Sequence, residues 1–243
     1  MGGQLLLALA HHGRPLPLKD LAREAGMVPA KAHPYLVSFQ KVGLVTQETG
    51  SGHYGLGPLA LQMGLIGLQQ YDPLRLATPL IEELAGSLGL TVALAVWGNR
   101  GPTIVRVAEA ATPVHVTIRH GTVMSLRDTA SGRLFAALLP AAVLDAALGE
   151  EAATLAQDRP FQQALAAIRA GEPARAEGDA VPGIHALAAP VFDSLGRLVL
   201  GLTVVGPGAA IDFGPQGPVA RQMTAAAQAL SERLGWRPAE ATA

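Results

Sequence analysis

A chain of 243 residues is long enough for one large or two ordinary domains, and a hydrophobic fraction of 49% fills their cores although only 4% of residues are aromatic. The lack of cysteine excludes disulfides and thiolate metal sites, and nothing argues for an oxidising compartment. A net charge of −1 is by itself no footprint for nucleic acid: residues 1–71 hold five cations against three acids, a balance of +2, and the rest holds thirteen arginines against sixteen acids, a balance of −3. The N-terminal run LLLALA is too short to span a bilayer and follows no basic region, so it reads as the first helix of a cytoplasmic protein.

The next stretch, Leu16 to Leu56, carries the strongest pattern in the chain. Leu18, Leu21, Ala22 and Ala25 repeat at helical spacing, and Gly26 supplies the left-handed backbone of a sharp turn. Ala32, Leu36 and Phe39 form the apolar stripe of a second helix, with Lys31, His33, Ser38 and Lys41 outward and Gly43 at its C-terminal end. Leu44–Thr46 and His53–Leu56 are strand-like around the glycine-rich turn at 49–52. Helix, turn, helix and hairpin in this order is a winged helix-turn-helix, whose second helix usually enters a DNA major groove. Such helix pairs also serve as plain packing units or protein-contact modules. With its weak charge asymmetry, a single copy should bind DNA poorly and a dimer better.

Gly57-Pro58 ends the hairpin. Leu59, Leu61, Met63, Leu65, Ile66 and Leu68 then cover most of a helix, and an apolar surface so complete on a short connector suits burial against a second chain. Asp72-Pro73 has the form of an N-cap followed by a first-turn proline. The domains expected are therefore 1–57, a winged helix-turn-helix; 58–71, a dimerising linker helix; and 72–243, a sensor-like α+β domain. In the last of these, helices are expected at 73–88, 129–139, 141–148, 161–172 and 218–235, and strands at 90–98, 102–110, 112–121, 183–193 and 197–207.

The helix-turn-helix and wing ending in HYGLGPLALQMG, the segment DTASGRLFAALL and above all the block GIHALAAPVFDSLGRLVLGLTVVGP resemble the IclR family of bacterial transcription regulators along nearly the whole chain. The resemblance implies an antiparallel-sheet effector-binding domain of GAF-like fold at the C-terminus. It also implies dimers, often dimers of dimers, that bind operator DNA and respond to a small molecule, commonly an organic or aromatic acid. Effector binding would change how two winged helices match half-sites about 34 Å apart.

For the effector, Thr129 and Ser131 stand where a helix begins, so free backbone N–H groups beside small side chains make a site for a carboxylate. Gly132 permits close approach, and Arg119 and Arg127 could clamp an anion. Ordinary helix capping, with both arginines in solvent, accounts for the same residues. Ala130 and Ser131 match positions lining the family pocket, and Asp179, Gly183 and the strand from His185 to Ala189 match its second wall. Some members carry an acid and a cysteine there; this chain has Ala176 and Ala186 instead, a less polar pocket that favours an apolar, even aromatic, effector. His115, His120 and His185 have no metal-ligand spacing, and no cofactor is expected.

For DNA, the candidates are Lys31, His33, Ser38 and Lys41, with His53 on the wing reaching a phosphate. Tyr35 suits the core better than the groove. Where the family commonly has Ser or Thr and then Arg, this chain has Ala30, Lys31 and Pro34, and a proline inside a helix can cost about 3 kcal/mol. A late-starting or kinked helix is therefore expected, and with it a second function: a small-molecule sensor or partner-binding protein with impaired DNA binding. A hydrolase using Ser131 with a histidine lacks the G-x-S-x-G elbow, so no catalytic residue is assigned.

Overall fold

The computed structural model describes residues 1–69, 71–109, 118–149, 151–208, 212 and 214–237. Its chain divides into two compact units, Met1–Tyr71 and Asp72–Ala243.

In the first unit, α1 (Gly2–His12), α2 (Leu18–Glu24) and α3 (Pro29–Lys41) precede a short hairpin, β1 (Val45–Gln47) and β2 (Tyr54–Leu56). Leu5, Leu9, Leu21, Ala22, Ala32 and Leu36 close a core in which Ala22 and Ala32 are fully buried, small where helices cross. Gly26 has φ +66°, as the turn between α2 and α3 requires. The helix expected to start late or kink begins at Pro29 and runs unbroken through Pro34. Pro29 occupies the first turn, where a missing N–H costs nothing, and Pro34 lies on the exposed side. A fourth helix, α4 (Pro58–Gln69), starts where Leu59 N–H donates to the Gly43 carbonyl.

The second unit is a five-stranded antiparallel sheet in the order β4-β3-β7-β6-β5, with β3 (Thr91–Gly98), β4 (Gly101–Ala108), β5 (Ala174–Glu177), β6 (Ile184–Phe192) and β7 (Leu198–Pro207). Helices α5 (Pro73–Leu88) and α10 (Pro218–Arg233) pack on the sheet and on each other, while α6 (Ala130–Leu138) packs on the sheet and on α9 (Arg159–Arg169). Between α6 and α9 come α7 (Ala141–Leu148) and α8 (Glu151–Gln157). Asp72 caps α5 through the Arg75 N–H at 3.0 Å, with Pro73 at the first position. Two elements, β5 and α8, go beyond the expected set. The strand expected at 112–121 lies outside the described residues up to 117, and Ile118–Gly121 are turn and irregular backbone.

Alternation along the strands sorts side chains by size. Ala93, Ala95, Gly201, Thr203, Ala174, Ala176 and Ala188 face α6 and its neighbours, whereas Val92, Leu94, Leu187, Leu200, Leu202 and Val204 point to the opposite face. Thr203 is paired with Ala93 on one side and Ala188 on the other, so the small residues form continuous cross-strand rows. Large residues make a dense core on one face; small ones leave a shallow face under α6.

The β6–β7 turn is held by buried Asp193. Its carboxylate accepts from the Leu195 and Arg197 N–H groups at 2.9 and 3.0 Å and from the Arg197 guanidinium at 2.7 and 2.8 Å. Burial pushes its carboxyl up, but the Arg197 hydrogen bonds and then the Leu195 N–H outweigh burial and hold it below the ordinary carboxylate range. A depressed folded-state pKa stabilises above the unfolded value near 4 and ceases to do so as pH falls through the folded value. Asp193→Asn should therefore cost about 2 kcal/mol at pH 7, with the gap to the wild type narrowing below pH 4. Thermal melts over that range check it; a gap independent of pH would contradict the ionised turn.

Candidate functional site: a helix face and an apolar cavity

On α3, the outward stripe at i, i+4, i+7, i+11 is Ala30, Pro34, Val37 and Lys41, opposite buried Ala32 and Leu36. Lys31, His33, Ser38 and Lys41 are all exposed, as expected of contact residues. Ser38 Oγ donates to the Pro34 carbonyl at 3.1 Å, so its hydroxyl hydrogen is turned back on the helix. Tyr35 and Phe39 are half-buried against the core of this unit. On the wing, His53 is half-buried rather than at the tip, its N–H on Ser51 Oγ at 3.1 Å, and the exposed tip holds Glu48 bonded to Ser51 Oγ. No lysine or arginine lies between residues 44 and 56. The wing therefore brings no permanent cation to a phosphate.

The start of α6 is a reciprocal cap. Thr129 Oγ1 accepts from the Gly132 N–H at 3.0 Å and donates to the Ser125 carbonyl at 2.7 Å, while the Asp128 N–H donates to Ser125 Oγ. Beneath it, Ser131 Oγ and Thr203 Oγ1 share a hydrogen bond of 2.8 Å, both residues buried. Between this helix start and the small-residue sheet face lies a cavity of about 90 Å³. Ala130 and Ser131 line it from the helix and Ala176, Ala186, Thr203 and Val205 from the sheet, with Ala180, Val181 and Ile184 also in its wall.

The arginines and the acid expected at this cavity stand elsewhere. Arg127 is turned to Asp158, Nε to Oδ2 at 2.7 Å, and to Asp128 at 3.2 Å. The hydrogen bond to Asp158 raises the Arg127 pKa, and the same bond, then one from the Phe161 N–H, lowers that of Asp158. Asp179 accepts from Arg133 at 3.0 Å. Arg127, Arg133 and Asp179 share an open polar groove of about 360 Å³, not the cavity. Arg175 and Glu177 pair within that groove as well, so its charges largely satisfy one another. Arg119 is exposed and outside the cavity lining. Among the described residues, no cationic side chain lines the cavity, and Asp128 is the single acid at its rim. Ala130, Ser131 and Ala186 are lining residues; Gly132 is not, its place being explained by contact with the backbone at 125–126. Sequence reasoning missed Thr203, Val205, Ala180, Val181 and Ile184, and Gly183, expected at the second wall, is not among the lining residues. For the first two a signal existed, the small-residue phase of TVALAV, IHALAA and GLTVV.

Among the described residues, no cluster of three or more His, Asp or Glu could hold a metal; His115 lies outside them. No described helix is long and apolar enough to cross a membrane.

A helix-turn-helix unit followed by a sheet unit with a small apolar cavity is the make-up of a ligand-responsive DNA-binding regulator. Residues 2–49 match the IclR helix-turn-helix domain and residues 67–232 the bacterial transcriptional regulator IclR C-terminal domain, and the chain belongs to the IclR family. It is 30% identical over 207 residues to the glycerol operon regulatory protein of Streptomyces griseus, covering 84% of this chain and 82% of that protein. To the transcriptional repressor IclR of Escherichia coli (strain K12) it is 24% identical, covering 85% and 78%. The crystal structure of Pseudomonas aeruginosa HmgR matches with a TM-score of 0.88 at 38% identity, covering 98% of both chains. The protein is thus a DNA-binding transcription regulator of α+β fold and not an enzyme.

Proposed function

We propose that this regulator binds operator DNA as a homodimer, assembling further as a dimer of dimers, and that a small organic acid in the α6 cavity alters its grip. The observation that carries the reading is the cavity itself: an apolar chamber whose one end is a helix start and a hydroxyl pair. The Ala130 and Ser131 N–H groups, at the positive end of α6, suit a carboxylate even with no arginine at hand. The walls suit a compact apolar body, an aromatic ring included. Helix α4 supports dimerisation, since Leu61, Met63 and Leu65 are 67%, 57% and 54% exposed in one chain. Sedimentation at micromolar concentration checks this, and a monomer would rule it out. A cytoplasmic location follows from the role. The alternative of impaired DNA binding needs a broken recognition helix, and α3 is unbroken.

Lys31 and Lys41 lie toward opposite ends of the exposed side of α3 and are assigned to phosphates. Lys31→Ala with Lys41→Ala should weaken binding about 10- to 100-fold, equally across operator sequences, and reduce the salt slope by about 0.9 for each phosphate left without its lysine. Gel shifts and salt titrations on the promoter regions flanking the gene check this. Unchanged affinity and slope would reject the assignment.

A further inference from the structure

The α3 face assigned to the groove is short of the side chains that read bases by paired hydrogen bonds. It has no arginine or asparagine, and its one glutamine, Gln40, is half-buried to the side of the outward stripe. Arg or Lys reads guanine and Asn or Gln reads adenine through two hydrogen bonds each, and with Lys31 and Lys41 assigned to phosphates that kind of discrimination is largely missing. What the stripe offers is carbon. Ala30 and Pro34 are exposed, Val37 is half-buried between them and Lys41, and Val28, just before the helix, is 63% exposed. Ser38, the nearest hydroxyl, donates to the Pro34 carbonyl.

In a major groove, the apolar group a protein can recognise is the 5-methyl of thymine. From Ala30 to Val37 the stripe advances about 10 Å along the helix axis, the length of about three base-pair steps. Pro34 adds a second feature: its ring is a rigid apolar surface on the exposed side of the helix. An A·T pair presents a methyl for such a surface; a G·C pair presents none.

We infer that Ala30, Pro34 and Val37 read a short thymine-rich core in each half-site through its methyl groups, with Pro34 a specificity-determining residue and Lys31 and Lys41 supplying affinity to phosphates. This rests on the reading of α3 as the groove-entering helix. The proline that departs from the family's usual helix is then part of the reading surface.

The test uses the full-length protein and duplexes it selects from a randomised pool, followed by replacement of thymine with deoxyuridine, which removes the methyl and keeps the base pair. Each contacted thymine replaced should weaken binding about threefold to fivefold, and replacement of the whole core about 10- to 100-fold, with flanking thymines indifferent. Pro34→Ser should bind the thymine duplex less well and lose its response to one methyl. Selected duplexes whose affinity changes by less than twofold on full replacement would overturn methyl reading while leaving DNA binding intact. If no sequence is enriched, α3 is not a sequence reader, and this inference falls with that one. The deoxyuridine measurement needs no variant to fold.

Discussion

Gly132→Ala should destabilise the effector-binding unit by about 3 kcal/mol or more and lower its Tm by about 6–12 °C. A Cβ at position 132 would land on the Ser125 carbonyl oxygen and come within 2.6 Å of Leu126 Cα. Both are backbone atoms, so no side-chain rotation relieves the overlap. The backbone cannot yield cheaply either, because Ser125 and Asp128 are tied to one another and Thr129 Oγ1 is bonded to both Ser125 and Gly132. The start of α6 would have to lift, separating Ser131 from Thr203 and leaving two buried hydroxyls to find other partners. Gly86→Ala in α5 is the matched control. Gly86 is exposed inside a helix with nothing within 4 Å of its would-be Cβ, so the same substitution should stabilise by about 0.5–1 kcal/mol. Melting curves of the two variants must move in opposite directions. A Gly132→Ala protein melting with the wild type would mean that the helix start is not packed as described.

The same residues show where reading the sequence succeeds and where it stops. Period and punctuation are local, so the stripes of α2 and α3, the turn at Gly26 and the Asp72-Pro73 cap are legible in the string. Strand β5 is not, because ARAE alternates alanine with charge and buries its alanines against α6 and α9 rather than advertising a hydrophobic run. The partners of the expected effector residues are hidden for a different reason. Arg127, expected with Arg119 to clamp an anion, finds Asp158, 31 residues on, and Asp179 is held by Arg133, 46 residues before it, and a helix-start motif carries no information about partners so remote. Asp179 itself illustrates the limit: it is one residue from Ala180 in the cavity wall, yet its carboxylate faces the other way into the polar groove. On helix propensity alone, Pro34 reads as a defect. Its place at the centre of the exposed stripe, opposite Leu36 and Ala32, is what makes it tolerable, and that follows only once the buried side of α3 is fixed.

Ala186→Leu should abolish the response to effector while leaving DNA binding within about threefold of the wild type. Ala186 lies in the cavity wall, paired across the sheet with Ala176 on β5 and Val205 on β7, all lining the same space. Three added carbons occupy much of a chamber of about 90 Å³. Filling a void that already exists requires little rearrangement, so the stability change should stay within about 1.5 kcal/mol in either direction. A ligand present at 100 times its Kd stabilises the folded state by about 2.7 kcal/mol, which for a chain of this size raises Tm by about 5–11 °C. Thermal-shift screening of small organic acids, aromatic ones included, should find such a compound for the wild type, and Ala186→Leu should show a shift below about 1 °C with it. In gel shifts the same compound should change the wild-type affinity for operator DNA and not that of the variant. A ligand can move an equilibrium between two arrangements by no more than its difference in affinity for them, so losing the bound state removes the whole effect. If Ala186→Leu kept the wild-type thermal shift, the effector would sit somewhere other than beneath α6, and the polar groove around Arg133 would become the place to look.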